Sequence, residues 1–156
     1  MACVTALRRA STTTASFIAR ARDAKDPRAL LGPFRSTGCF DEALEGMEIT
    51  KIGPDGAEVS LEVTRKLANN FGTLHGGMTA LLVDVVGTLA LLGRDPSRPG
   101  ISIEMNQTFT ATAEVGEVII ARGTVLRCGR SLGFTEVSIS TPDKLIATGR
   151  HTKFFG

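Results

Sequence analysis

The chain has 156 residues, 42% of them apolar and 22% charged, which is enough for one domain with its own core and too mixed in composition for a disordered segment. Its net charge of +2, with no run of five or six basic residues, supplies no stripe for tracking phosphates, so nucleic acid is not an expected partner. Cys3, Cys39 and Cys128 are widely spaced, form no CxxC pair and are accompanied by only two histidines, so neither a disulfide framework nor a metal site is expected.

The positive balance sits at the head. Residues 1–22, MACVTALRRASTTTASFIARAR, hold four arginines and no acid among many Ser and Thr, the composition of an organelle transit segment. All 16 acids lie beyond it, and the remainder is slightly acidic. The alternative is an amphipathic first helix over residues 11–32 that docks Phe17, Ile18, Ala21 and Leu30 or Leu31 on the body. The two readings can coexist, and they leave the location as mitochondrial or cytoplasmic. The chain therefore divides into residues 1–22, a transit segment or N-terminal extension, and residues 23–156, a single domain that includes a short N-terminal helical region.

After a turn-rich stretch, LLGPFRSTGCF, the pattern becomes extended. MEITKIGPDGAEVSLEV alternates on both sides of Gly53-Pro54-Asp55-Gly56, a hairpin with Val59, Leu61 and Val63 on its buried face. Residues 76–93 then form the one long helix of the body, apolar almost all round and hence buried on most sides. Its length is at the short end for a bilayer and Asp84 stands near its middle, so no transmembrane segment is expected. GISIEMNQTFTA alternates again, with Ile101, Ile103 and Met105 opposite Ser102, Glu104 and Asn106. EVIIARGTVLRCGRSLGFTEVSISTPDKLIATGRHTKFF supplies three more strands, broken at residues 127–131 and at Pro142-Asp143, and Gly123 marks a bulge or a close backbone approach. The expected fold is α+β, an antiparallel sheet of five to six strands wrapped around one long central helix.

Asp84 is the anomaly in that helix, because a carboxylate buried among Leu, Val and Ala is costly unless something pairs with it or uses it. Thr88, one turn on, shares its face and can hydrogen-bond it. Two turns earlier, Gly76 and Gly77 open the helix after His75, leaving bare N–H donors at the positive end of its dipole. That arrangement suits an oxyanion. Equally, the glycines serve a tight strand-to-helix packing and Asp84 a satisfied core position. Asn69 and Asn70 before the glycines, and Ser102 on the following strand, are the further polar candidates.

NNFGTLHGGMTALLVDVVGTLALL, GISIEMNQTF and ATGRHTK together resemble the hotdog-fold acyl-CoA thioesterases, within them the thioesterase superfamily member 2 (acyl-coenzyme A thioesterase 13) group, over roughly residues 45–153. The resemblance implies that Asn69 and the Gly76 N–H polarise the thioester carbonyl, that Asp84 is general base or nucleophile, and that Ser102 orients water, with His75, Gly77 and Thr88 in support. It implies coenzyme A contacts from Phe109, Thr110, Ala111, Thr112, Ala113 and Glu114, and from Arg127, Cys128, Gly129, Arg130, Ser131 and Leu132. It further implies a homodimer with the site across its interface, pairing into a homotetramer, no cofactor, and a place in fatty acid metabolism. The chain departs from the group in Arg127 and Arg130 where lysines are common, in a shorter STPDKL turn and in Phe154 where a histidine can stand. Lack of Trp and Tyr favours an aliphatic acyl group, with Phe71 and Phe109 as candidate lining, and medium- to long-chain acyl-CoA is the expected substrate class. Two other readings compete: a hydratase or dehydratase of acyl thioesters pairing His75 with Asp84, and a non-catalytic acyl-CoA-binding module.

Overall fold

The computed structural model describes residues 40–156. Both readings of the head, with Cys3 and Cys39, lie outside the described residues. A 3₁₀ turn over Phe40–Leu44 leads into β1 (Glu48–Gly53) and β2 (Gly56–Glu62), followed by a second 3₁₀ turn over Arg65–Leu67 and the long helix α1 (Gly76–Arg94). The remainder is β3 (Ile101–Phe109), β4 (Val118–Cys128), β5 (Leu132–Ser140) and β6 (Leu145–Phe154). The six strands form one antiparallel sheet in the order β1-β2-β4-β5-β6-β3. Strands β4 to β6 are the expected meander, whereas β3 crosses over to pair with β6 at the far edge.

The sheet curls around α1, the expected hotdog arrangement. Alternation supplies the core: Val59, Leu61 and Val63 from the first hairpin, with Ile119, Ala121, Val137 and Ile139 from the meander, face Leu82, Val83, Val86, Leu89 and Ala90 of the helix. Where α1 crosses the strands the backbone is bare. A Cβ on Gly123 would lie 2.8 Å from the Val86 carbonyl oxygen, and one on Gly149 would lie 2.8 Å from Val83. Both glycines pair with Val137, so they stand in one row across the sheet. Gly123 thus marks a close approach. The bulge in β4 falls between Val125 and Arg127 instead.

By length and hydropathy α1 could cross a membrane, yet 67% of it is buried inside the fold, which makes it a core helix. The two edges of the sheet differ. β1 is short and backed by the core through Ile49. β3 has nine residues, only β6 beside it, and Ile101, Ile103, Met105 and Phe109 all exposed, Ile101 by 71%.

Candidate active site

Two polar groups are mounted on α1. The first surrounds its N-terminus. Asn69 organises the preceding loop: its Oδ1 accepts the N–H groups of Phe71 (2.8 Å) and Thr73 (3.2 Å), and its Nδ2 donates to Thr73 Oγ1 at 2.8 Å. Gly72, at φ +79°, permits the tight return that brings the Asn69 N–H to the Thr73 carbonyl at 2.8 Å. His75 is the N-cap, its Nδ1 accepting the Gly77 N–H at 2.8 Å, which leaves the ring proton on Nε2. That bond takes up the nitrogen nearest the helix, and no His75–Asp84 pair forms. The Gly76 N–H has no acceptor among the described residues. A Cβ there would stand 3.4 Å from the Phe109 ring, an ordinary contact, so that ring lies beside Gly76. Phe71 is almost fully exposed and lines nothing within this chain.

The second group lies eight residues further along, about 12 Å down the helix axis. Asp84 is not buried as its apolar neighbours suggested: its side chain is 44% exposed, because the face of α1 it occupies ends beside β3, the open edge of the sheet. Its Oδ1 lies 3.4 Å from Ser102 Oγ and 3.5 Å from Thr88 Oγ1, at the long limit for hydroxyl donors, while Thr88 Oγ1 donates at 2.8 Å to the Asp84 backbone carbonyl. Beneath them lie two side chains that the sequence reading did not assign. His151 of β6 is fully buried, with Nε2 2.8 Å from Ser102 Oγ and 3.5 Å from Asp84 Oδ1. Lys153, also buried, donates from Nζ to Thr88 Oγ1 at 2.9 Å.

Burial pushes the His151 imidazole below its ordinary pKa, and Lys153 adds to this, while Asp84 and Glu104 pull the other way. Burial likewise lowers the Lys153 ammonium, opposed by Asp84 and Asp41. A neutral His151 has one ring N–H. Its Nδ1 is buried with no partner, so the proton belongs on Nε2, donated to Ser102 Oγ, and the Ser102 hydroxyl is free to donate to Asp84. Gly87 makes the room: a Cβ on it would lie 2.8 Å from Thr135 Oγ1 and 2.9 Å from His151 Nδ1. His151 and Lys153 had a signal in the sequence, since both fall on the inward parity of β6 with Gly149.

Residues 71–147 match the thioesterase superfamily. Acyl-coenzyme A thioesterase 13 of Mus musculus is 40% identical over 119 residues, 75% of this chain and 85% of the mouse protein, and the Homo sapiens protein matches to the same extent. The chain belongs to the thioesterase superfamily. In three dimensions it is similar to zebra fish thioesterase superfamily member 2, with TM-score 0.79 and 37% identity over 83% of this chain and 95% of that one. The mouse thioesterase superfamily member 2 gives TM-score 0.76 and 36% identity over the same shares. The fold is the hotdog fold, and the chain is a thioester hydrolase.

In this thioesterase the two stretches expected to hold coenzyme A lie far apart within one chain. Phe109 ends β3, and Thr110 to Glu114 continue from it: Thr110 Oγ1 donates to the Leu145 carbonyl at 2.7 Å and Leu74 N–H to the Ala113 carbonyl at 2.7 Å. Residues 127–132 form the β4–β5 turn, where Gly129 N–H reaches the Leu132 carbonyl at 2.8 Å and Cys128 is a half-buried free thiol. The register puts Leu132, Phe154 and Ile101 in one row and Ile139, Ala147 and Phe109 in another. Eight residues of strand, roughly 27 Å, separate the rows.

Proposed function

We propose that this thioesterase hydrolyses acyl-CoA to a free carboxylic acid and coenzyme A at a site shared by two copies of the chain. One observation carries the reading. The free donor at Gly76 and the carboxylate at Asp84 are too far apart along α1 for one thioester, while β3 presents an apolar, unpaired edge between them. Antiparallel pairing of β3 with its own copy would lay the Ser102 end of one strand against the Phe109 end of the other. Asp84 and Ser102 then meet the partner's Gly76, and the Arg127–Leu132 turn meets the partner's Phe109–Glu114 stretch. A separation within one chain becomes a contact between two.

The chemistry follows from the groups. The Gly76 N–H and the amide hydrogen of Asn69 not given to Thr73 polarise the thioester carbonyl. Asp84, exposed enough to meet water and held by Ser102, takes a proton as water oxygen bonds to the carbonyl carbon. The tetrahedral oxyanion collapses, the C–S bond breaks, and the proton held by Asp84 passes to the departing coenzyme sulfur. Acyl chains of medium to long length suit an interface lined by Phe109 and aliphatic side chains, and they place the enzyme in fatty acid metabolism. Two dimers pair into a tetramer, and residues 1–22 direct the protein to the mitochondrion or leave it in the cytoplasm.

Mixing two inactive variants tests the reading. Asp84→Asn removes the base, and Gly76→Pro removes the N–H at a helix position that tolerates proline. Random reassortment makes half the dimers mixed, each with one intact site, so the mixture should recover about a quarter of wild-type thiol release. No recovery, despite proven exchange of subunits, would place the whole site in one chain. Rates on short- to long-chain acyl-CoA then fix the chain length.

A further inference from the structure

Arg98 lies in the connection between α1 and β3, away from both polar groups of the site. That connection is a closed turn: Asp95 Oδ1 accepts the Ser97 N–H at 3.0 Å and its hydroxyl at 2.6 Å, and the Arg98 N–H reaches the Asp95 carbonyl at 3.1 Å. From it the Arg98 side chain crosses to the β4–β5 turn, where Nη2 donates to the Gly129 carbonyl at 2.8 Å and to the Arg130 carbonyl. Its guanidinium carbon stands 4.1 Å from the centroid of the Phe155 ring. Phe155 is itself fastened to the same turn through its N–H, 2.9 Å from the Ser131 carbonyl. The turn is thus gripped by two segments remote from it in sequence.

Charge makes the grip informative. Among the described residues Arg98, Arg127 and Arg130 form no ion pair, and Arg127 and Arg130, on the turn that Arg98 holds, are both exposed. Two like charges on one short turn keep a fixed spacing only while the turn is held, because a turn free to move lets them separate. A planar guanidinium can give one nitrogen to two carbonyls while its plane packs on a ring, whereas an ammonium has a single nitrogen for both tasks and no plane to pack.

We propose that Arg98 is a positioning residue for the nucleotide end of coenzyme A: it clamps the β4–β5 turn so that Arg127 and Arg130 meet the coenzyme phosphates in one fixed geometry. The proposal rests on the reading of residues 127–132 as a coenzyme-binding turn. Arg98 acts through the turn and need not touch the coenzyme.

The test joins calorimetric titration with coenzyme A to steady-state hydrolysis of one acyl-CoA and of the matching acyl-pantetheine, which lacks the nucleotide. Arg98→Ala should weaken coenzyme A binding and raise KM for acyl-CoA by roughly tenfold, about the effect of losing hydrogen bonds to a charged group, with kcat and the acyl-pantetheine KM unchanged. Arg98→Lys should behave like the alanine variant, because charge alone does not restore the clamp. Unchanged coenzyme A affinity in Arg98→Ala, an equal loss on both substrates, or full rescue by lysine each overturns the proposal. The Arg127→Ala/Arg130→Ala double variant separates the two levels. If it binds coenzyme A as tightly as wild type, the coenzyme-turn reading fails and the proposal with it. Because the titration needs no turnover, absence of hydrolysis alone would leave the clamp measurable.

Discussion

The two polar groups on α1 are built in opposite ways. The group at the helix start is local: Asn69, Gly72, Thr73, His75 and Gly77 bond to one another within nine residues, and the product is one unengaged N–H at Gly76. The group at mid-helix is assembled from distant strands, with Ser102 from β3, His151 and Lys153 from β6 and Asp84 and Thr88 from the helix. Local construction yields a rigid donor that needs little support. Long-range construction yields a carboxylate whose setting depends on every strand around it, and on what covers the open edge beside it.

Removing a central group from each half measures that difference. Asp84→Asn should lower kcat by about 10²- to 10⁴-fold with KM little changed, since it deletes the proposed base while nearly keeping its shape. Steady-state thiol release checks this, and wild-type turnover would sink the assigned role. Next comes the edge. Ile103, exposed by 56% on β3, should tolerate lysine in the isolated fold, yet Ile103→Lys should dissociate the proposed dimer and reduce activity in proportion to the monomer formed. Light scattering and activity measured across protein concentration would show it, and an active monomer would refute the shared site.

A smaller effect is expected beneath the carboxylate. His151→Gln keeps a donor near Ser102 but loses the imidazole, so kcat should fall by about tenfold, within the range of one weakened neutral hydrogen bond. The same variant reports on pH. The folded pKa of His151 is lowered by burial, so the unfolded chain binds the extra proton first as pH falls through about 6.5. Wild-type stability should therefore decline below that pH until the folded imidazole is itself protonated. Thermal melts between neutral and mildly acidic pH should show a flatter dependence in the glutamine variant. Identical slopes would mean that His151 does not carry it.

How much was legible in the sequence divides along the same line. The hairpin, the helix from Gly76, the meander and the close approach at Gly123 could be read because each leaves a short-range mark of period, turn residue or missing side chain. The cap made by His75 is equally local, since the Gly77 N–H that donates to it lies two residues on. What could not be read were facts of tertiary placement. Asp84 stands half-exposed beside an open edge, Asn69 spends three hydrogen bonds on its own loop, and the two stretches expected to hold coenzyme A lie at opposite ends of the sheet. His151 and Lys153 sit on an ordinary alternating strand, and only the position of α1 over that strand reveals what they serve.

Gly87 sets a limit on engineering. A glycine inside a helix lowers stability by about 1 kcal/mol relative to alanine, so a search for thermostable variants would select Gly87→Ala early. Here the added methyl would push against Thr135 and the unpartnered nitrogen of His151, driving the imidazole toward Ser102 and Asp84. The residue most tempting to improve is therefore one that the packing beneath Asp84 requires to be without a side chain, and heat resistance in this fold must be sought elsewhere.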